Sequence, residues 1–238
     1  MKKLVGAIFR SLGYEIHRLG KEPGLAEFLV SRKVDLVFDV GANTGQFGRG
    51  LRGHGYRGAI VSFEPVREVF AELQRRVAGD RNWSAHGLAL GAAPGTGTIH
   101  VSRGSVYSSL VAQSELTADF DTAAHVVRSE EVQIACLDDY LPTIEGRSAF
   151  LKIDTQGFEQ QVLDGARRVL EKVEGVLLEV PLVHLYAGTW KLEEVLAYMR
   201  AHGFVLAQVR PVNALRLRDG VSLAEIDCLF RRMGIEDE

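Results

Sequence analysis

Several residue patterns that would assign this chain to a particular class are missing from its sequence. It has only two cysteines, Cys136 and Cys228, which lie far apart among apolar residues. Two such residues are too few for a disulfide framework or a four-ligand zinc site, so we interpret both as reduced thiols of a cytoplasmic protein. The formal net charge is −3, without the basic excess of proteins that bind nucleic acid. We therefore expect no nucleic-acid partner.

Long apolar runs are missing as well. No stretch approaches the roughly 20 apolar residues of a transmembrane segment. Residues 1–10 resemble a signal peptide, but their apolar core is shorter than the roughly 7–15 residues required, and no cleavage site follows. Apolar residues instead recur at every fourth position, which predicts an amphipathic helical extension over residues 1–24. Such a helix either packs against the domain or makes weak contact with a membrane surface.

The rest of the chain alternates between strand-like and helix-like patterns. Short apolar runs are joined to segments of helical periodicity from residue 25 almost to the C-terminus. This alternation predicts an α/β fold, in which a mostly parallel sheet has helices on both faces. Residues 204–209 and 226–231 predict two strands without a helix between them, and hence a final antiparallel pair. Because neither a repeat nor a linker interrupts the pattern, we expect one domain over residues 25–238.

The middle of the chain gives four more specific predictions. Residues 83–90 and 131–137 have the apolar character of strands, and residues 156–170 have the periodicity of one helix. Residues 102–129 form a long irregular stretch between them. Such stretches are uncommon in compact domains and usually belong to functional loops, so we expect this one to help cover a substrate.

One stretch organises the candidate site, residues 37–47 with the sequence VFDVGANTGQF. It reads as a buried strand, a tight turn and a helix N-terminus, which is where α/β proteins bind small ligands. Gly41 and Gly45 let the backbone turn sharply and approach a ligand closely. The spacing lacks the central glycine on which a pyrophosphate lies in dinucleotide-binding folds. Asp39, just before the turn, suits a ligand with a cationic group.

A second carboxylate indicates which ligand this is. Glu64 ends the next predicted strand, where Pro65 prevents the ladder from continuing. A carboxylate at that place can accept hydrogen bonds from both hydroxyls of a ribose. With Asp39 and the glycine turn, Glu64 predicts a site for a nucleoside that carries amino-acid and cationic groups, which is S-adenosylmethionine. A merely tight turn and an exposed acid before a proline are the simpler alternatives.

Further candidates follow two later strands. Asp154 ends the fourth principal strand, Glu179 ends the fifth, and the loop after Glu179 carries His184. The carboxyl ends of parallel strands meet at one crevice, so these residues are candidates for positioning an acceptor or taking its proton. Asp154 also suits a helix N-cap, and a loop histidine is often only a polar surface residue. A divalent cation shared by the two carboxylates lacks a convincing third ligand, so we expect no metal.

Together these motifs resemble a known family. Residues 38–45 (FDVGANTG), 63–65 (FEP), 151–159 (LKIDTQGFE) and 162–166 (VLDGA) are similar to the FkbM family of S-adenosylmethionine-dependent methyltransferases. The likeness extends in order over about residues 25–232. It implies a Rossmann-like class I methyltransferase fold, a sheet of seven strands with one antiparallel. It also implies that Asp39, Gly41 and Gly45 hold the methionine part of the cofactor. Ala42 and Asn43 of the same turn are further candidates for binding the cofactor.

The resemblance further implies the reaction. Glu64 would hold the cofactor ribose, and Asp154 would lie near the sulfonium and the acceptor. The implied activity is O-methylation, often of a sugar or polyketide-like hydroxyl, and our hypothesis is a sugar hydroxyl of a glycolipid, polysaccharide or natural product. One alternative is a nicotinamide-dependent oxidoreductase that uses the same glycine turn. Another is a non-catalytic protein that binds the cofactor and has lost turnover.

Overall fold

Helices and strands alternate along the described part of the chain, which comprises residues 24–114, 117, 121–217 and 220–234 of a computed structural model. The predicted N-terminal extension lies outside these residues. The α-helices are α1 (Leu25–Ser31), α2 (Gln46–Gly53), α3 (Arg67–Val77), α4 (Glu159–Asp164), α5 (Arg167–Leu170) and α6 (Leu192–Ala201). The strands are β1 (Leu36–Val40), β2 (Ala59–Phe63), β3 (Trp83–His86), β4 (Ala89–Leu90), β5 (Gly95–Ser102), β6 (Val126–Ala135), β7 (Ala149–Ile153), β8 (Val173–Pro181), β9 (Phe204–Leu217) and β10 (Gly220–Arg232).

The main sheet has seven strands in the order β3–β2–β1–β7–β8–β10–β9. Strands β3, β2, β1, β7 and β8 pair in parallel, whereas β10 is antiparallel to both of its neighbours. Six strands therefore run in one direction and β10 runs against them. This confirms the predicted fold class and the predicted antiparallel pair near the C-terminus.

Helices cover both faces of the main sheet. Side chains alternate along its buried strands, so neighbouring residues of one strand pack against opposite layers of helices. Phe38 of β1 belongs to the core cluster on one face, and Val37 belongs to the cluster on the other. The face of Val37 packs against α1, α2 and α3 through Phe28, Leu51 and Leu73. The face of Phe38 packs against α4, α5 and α6 through Val162, Val169 and Val195.

A second, three-stranded sheet in the order β4–β6–β5 was not predicted. The predicted strand over residues 83–90 is divided at Gly87 between β3 in the main sheet and β4 in the second. A Cβ at Gly87 would lie 2.7 Å from the ring of Phe70, so the chain passes close to α3 where it changes sheets. The bounds predicted for the strand over residues 131–137 were also wrong. That strand, β6, begins at Val126, and Leu137 begins a 3-10 helix.

The single helix predicted over residues 156–170 is wrong, because the structure has the two short helices α4 and α5. Gln156 and Gly157 have left-handed backbone angles, φ 55° and φ 97°, so a helix cannot include them. The break between α4 and α5 falls at Gly165, where a Cβ would lie 1.9 Å from the carbonyl oxygen of Gly91. The chain therefore presses against the segment after β4 at this glycine.

The hairpin of β9 and β10 is longer than the sequence predicts. Glu225 of β10 pairs with Pro181, the last residue of β8, so the residues of β10 before Glu225 extend past the end of β8. They pair with the second half of β9, where Glu225 stands opposite Asn213. This part of the hairpin lies at the carboxyl edge of the parallel strands.

Candidate active site

A cavity of about 320 Å³ opens at the carboxyl edge of the main sheet. The ends of β1, β2 and β7 contribute Val40, Phe63 and Asp154 to its lining. The order of strands reverses between β1 and β7, which is the switch point where open α/β sheets bind ligands. Its volume lies in the range of small-molecule sites, so this cavity is the candidate active site.

The glycine turn after β1 forms one wall. Gly41 and Asn43 line the cavity with left-handed backbone angles, φ 70° and φ 48°. A Cβ on Gly41 would lie 1.7 Å from the carbonyl oxygen of Asp154, so the turn can approach the loop after β7 only with glycine there. Ala42 and Gly45 are not among the cavity-lining residues. Ala42 is buried in the core, and Gly45 precedes α2 with φ 84°.

Asp39 supports this turn from beneath and does not line the cavity. It is completely buried, and Ser62 Oγ donates to its Oδ2 at 3.1 Å. Lys152 Nζ lies 3.3 Å from its Oδ1 and donates at 2.9 Å to the carbonyl oxygen of Gly41. Burial alone would lower the pKa of Lys152, but the carboxylates of Asp154 and Asp39 outweigh it and raise the pKa. Asp39 therefore acts on the turn through a buried ion pair, and we propose no direct contact with the cofactor.

Glu64 is buried and lines the cavity beside the turn. Its Oε2 accepts the backbone N–H of Asn43 at 2.9 Å, and its Oε1 accepts that of Val66 at 2.8 Å. Burial raises the pKa of Glu64 to about 7, although the two backbone donors act in the opposite direction. Each oxygen keeps a lone pair for a further donor, so the carboxylate can accept two hydroxyls of one ligand.

An apolar wall follows Glu64, and sequence reasoning did not assign it. It consists of Pro65, Leu88, Ala89, Leu90 and Ile99. Because it begins directly beside the predicted ribose contact, it suits the flat ring of a purine. The short strand β4 lies within the longer apolar run of residues 83–90, and the local pattern does not separate it from β3.

Residues 105–110, which we name the covering segment, line the cavity along their whole length. Asn43 Nδ2 donates to Ser105 Oγ at 3.0 Å, which joins the segment to the glycine turn. Ser109 Oγ donates to the carbonyl oxygen of Gln156 at 2.6 Å, which joins it to the loop after β7. Among the described residues of the irregular stretch predicted over residues 102–129, the covering segment is the part that borders the cavity.

Three carboxylates, those of Asp154, Glu179 and Glu225, lie at the end of the cavity formed by β7, β8 and β10. Gln156 Nε2 donates to Asp154 Oδ1 at 3.0 Å and to Glu179 Oε1 at 2.9 Å. Glu225 is buried beside them, and Asn213 Nδ2 donates to its Oε2 at 2.6 Å. Burial, helped by the neighbouring carboxylates of Asp154 and Glu225, raises the pKa of Glu179. This end of the cavity can therefore hold or accept protons.

The structure brings two of the three predicted acceptor-side residues together. Asp154 and Glu179 share one amide donor, whereas His184 is not among the cavity-lining residues and its Nδ1 lies 2.7 Å from Thr189 Oγ1. Sequence reasoning missed Gln156 and Glu225. Gln156 lay inside a recognised motif, so its position was available, but Glu225 reaches the cavity only through the register of the long hairpin.

The described ranges contain neither a candidate metal centre nor a candidate membrane-spanning helix. Within them, no group of three or more histidine, cysteine, aspartate or glutamate side chains is arranged to hold a metal ion. Within the same ranges, no helix is long and apolar enough to cross a membrane.

Comparison with known proteins identifies a family. Residues 39–206 match the family described as the methyltransferase FkbM domain, and this range includes Asp39, Glu64, Asp154 and Glu179. No curated protein matches the chain.

Solved structures with related folds share little sequence with this chain. A magnesium protoporphyrin IX methyltransferase from Synechocystis is 11% identical over 98% of this chain and 97% of its own, with a TM-score of 0.47. An rRNA methylase from Streptococcus thermophilus is 10% identical over 91% of this chain and 100% of its own, with a TM-score of 0.47. A fibrillarin from Aeropyrum pernix is 13% identical over 82% of this chain and 66% of its own, with a TM-score of 0.46.

Proposed function

We propose an O-methyltransferase, starting from the fact that this chain belongs to the FkbM family of S-adenosylmethionine-dependent methyltransferases. Its acceptor in this proposal is a hydroxyl of a sugar in a glycolipid, polysaccharide or natural product. The observation that carries the proposal is the pair of bridged carboxylates, Asp154 and Glu179, in the same cavity as the ribose-type carboxylate of Glu64. One cavity thus offers a nucleoside end and a proton-accepting end.

The residues of the nucleoside end fit S-adenosylmethionine. The free lone pairs of Glu64 suit the two ribose hydroxyls, and the wall of Leu88 and Leu90 suits the adenine ring. Gly41 and Asn43 leave room for the methionine part along the turn. When bound, this cofactor supplies a methyl group that its sulfonium already activates. The protein then has to align the acceptor and exclude water.

The carboxylate end suits the loss of a proton from a hydroxyl. In the proposed reaction the acceptor oxygen forms a bond to the methyl carbon while the carbon–sulfur bond breaks, which leaves a neutral thioether. The hydroxyl proton passes to a carboxylate, and we rank Asp154 first because it lines the cavity and its side chain is 33% exposed. Glu179 is the second candidate. His184 has the weakest claim, since it does not line the cavity.

A sugar acceptor is supported by the mixed lining at this end. Tyr107 and Val106 of the covering segment and Val212 of the hairpin present apolar surface beside polar groups. Asn213 and the carboxylates can form hydrogen bonds with several hydroxyls of one molecule.

We further propose that residues 25–238 form one domain. We also propose that the protein works in the cytoplasm, and the free thiols of Cys136 and Cys228 support that location.

The test is incubation of the purified protein with methyl-labelled S-adenosylmethionine and a fractionated cell extract. We expect label in a carbohydrate-containing fraction, in a linkage that resists mild base as a methyl ether does. Asp154→Asn should reduce this labelling about a hundredfold while S-adenosylhomocysteine still binds. Label confined to RNA or protein would contradict the sugar acceptor. Cofactor binding without transfer to any fraction would instead support the non-catalytic alternative.

A further inference from the structure

Gln156 uses every hydrogen-bonding group of its side chain at the carboxylate end of the cavity. Its Nε2 donates to Asp154 at 3.0 Å and to Glu179 at 2.9 Å, and its Oε1 accepts the hydroxyl of Tyr186 at 2.9 Å. An amide nitrogen has two hydrogens, so both are used. The reversed amide would direct an oxygen at two carboxylates, so only one orientation satisfies all three partners.

The backbone of Gln156 is held in an unfavourable conformation for this purpose. Its φ of 55° is left-handed, which is uncommon for a residue other than glycine and costs on the order of 1 kcal/mol. The buried carboxylate of Glu159 stabilises this turn, because it accepts the backbone N–H groups of Thr155 and Gly157 at 2.8 Å and 3.1 Å. The fold therefore supports a strained residue whose side chain joins two carboxylates.

The same amide is connected to the covering segment. Tyr186 is buried, and its hydroxyl lies 2.9 Å from Gln156 Oε1 and 3.1 Å from the carbonyl oxygen of Tyr107. Its single proton can be donated to one of these two acceptors at a time. Ser109 Oγ also donates to the backbone carbonyl of Gln156. The orientation of the amide thus depends on contacts with residues that cover the cavity.

We propose that Gln156 is a positioning residue for methyl transfer, one that holds the carboxylates of Asp154 and Glu179 in the orientation that receives the acceptor hydroxyl. This inference rests on the proposed function, in which these carboxylates face the acceptor. Gln156 itself takes no proton, since an amide has no basic site at neutral pH. It acts through the two groups that its nitrogen bridges.

The bridge has an electrostatic consequence at Glu179. An N–H donor favours the ionised form of a carboxylate, so loss of the amide makes Glu179 harder to ionise. Other ionisable groups act on Glu179 from each neighbouring element. They are Lys152 and Asp154 of β7 and its loop, Glu159 of α4, Tyr107 of the covering segment, Tyr186 after β8, and Glu225 and Asp227 of β10, with Arg210 of β9 bound to Asp227. These groups remain when Gln156 is replaced, so a change can be assigned to the amide.

The first measurement needs no acceptor. Glutamate labelled with ¹³C at Cδ is incorporated, and the Glu179 signal is identified by its absence in Glu179→Gln. Gln156→Asn keeps an amide and suits a left-handed backbone, but it is one methylene shorter and cannot bridge both carboxylates. We expect the Glu179 titration to move about one pH unit upwards. Gln160→Asn is the matched control, since Gln160 is exposed on α4, and it should leave the titration unchanged.

The second measurement follows methyl transfer to the extract fraction that the wild-type protein labels. For Gln156→Asn we expect the transfer rate to fall about tenfold, its pH profile to shift upwards with the Glu179 titration, and S-adenosylhomocysteine affinity to change little. Gln156→Glu keeps the length of the side chain, loses the donors and adds a negative charge, and both changes should move the Glu179 titration upwards. An unmoved Glu179 titration in both variants would overturn the inference. Absence of transfer by the wild-type protein would count against the proposed function alone, because the titration still decides the role of Gln156.

Discussion

Replacing Glu64 with glutamine tests the proposed ribose contact more sharply than truncating the side chain. Both carboxyl oxygens of Glu64 accept a backbone N–H, from Asn43 at 2.9 Å and from Val66 at 2.8 Å. A glutamine must turn its NH₂ group towards one of these two donors, whichever way its amide is oriented. Two donors then face each other at a position that is only 6% exposed, and one backbone N–H loses its acceptor.

The magnitude follows from the hydrogen bonds that are lost. A hydrogen bond to a charged acceptor contributes about 1.5–3 kcal/mol, and each 1.4 kcal/mol is a factor of ten in affinity. We therefore expect Glu64→Gln to weaken S-adenosylhomocysteine binding by about tenfold to a hundredfold. Separately from this loss of affinity, the unsatisfied backbone N–H should lower the free energy of unfolding by ~1–3 kcal/mol.

Isothermal titration calorimetry with S-adenosylhomocysteine measures the affinity, and urea unfolding measures the stability separately. This ligand lacks the sulfonium charge, so the carboxylate end of the cavity influences its binding little. Glu68→Gln is the matched control, because the Glu68 side chain is 78% exposed in the first turn of α3 and pairs with the surface residue Arg128. Such exposed pairs contribute about 0–1 kcal/mol, so the control should change neither affinity nor stability appreciably.

The same carboxylate gives the affinity a pH dependence of known sign. Burial raises the pKa of Glu64 to about 7, and ribose hydroxyls donate to the ionised form, so binding lowers this pKa and releases a proton. Wild-type affinity should fall below about pH 7, by up to tenfold per pH unit. The stability of the ligand-free protein has the opposite pH dependence. Because the folded state holds the Glu64 proton more tightly than the unfolded state does, the free energy of unfolding falls as the pH rises through about 7. A Glu64→Gln protein with wild-type affinity to within about twofold, and with the same pH dependence, would refute this reasoning.

Two further variants test the turn and the ion pair beneath it. Gly41→Ala would place a Cβ 1.7 Å from the carbonyl oxygen of Asp154. We therefore expect the free energy of unfolding in urea to fall by more than about 3 kcal/mol, with no ligand binding. Gly55 is the control, because it is also left-handed but has nothing within 4 Å of the place where a Cβ would lie, so Gly55→Ala should cost about 1 kcal/mol. Lys152→Met leaves Asp39 buried without its cation and should cost about 3–5 kcal/mol in urea unfolding, whereas adding Asp39→Asn should recover most of that loss. Equal stability of the single and double variants would contradict the ion pair.

Features that depend on neighbouring residues in the sequence were predictable. The alternation of strands and helices gave the sheet, and the place of Glu64 at a strand end gave a carboxylate that the structure puts in the cavity. Features that depend on distant contacts were not predictable. The break between α4 and α5 falls where Gly165 lies against Gly91, and Glu225 reaches the cavity through its pairing with Pro181. Neither contact can be recognised from the residues next to it in the sequence.

The hairpin of β9 and β10 has a consequence for how acceptor choice can change in evolution. The match to the family ends at residue 206, within β9, whereas the cavity residues Val212, Asn213 and Glu225 lie beyond it. The residues that we propose to hold the nucleoside all lie before that point. A change confined to this contiguous C-terminal segment would therefore alter one side of the proposed acceptor end, whereas the residues proposed to hold the cofactor lie outside the segment.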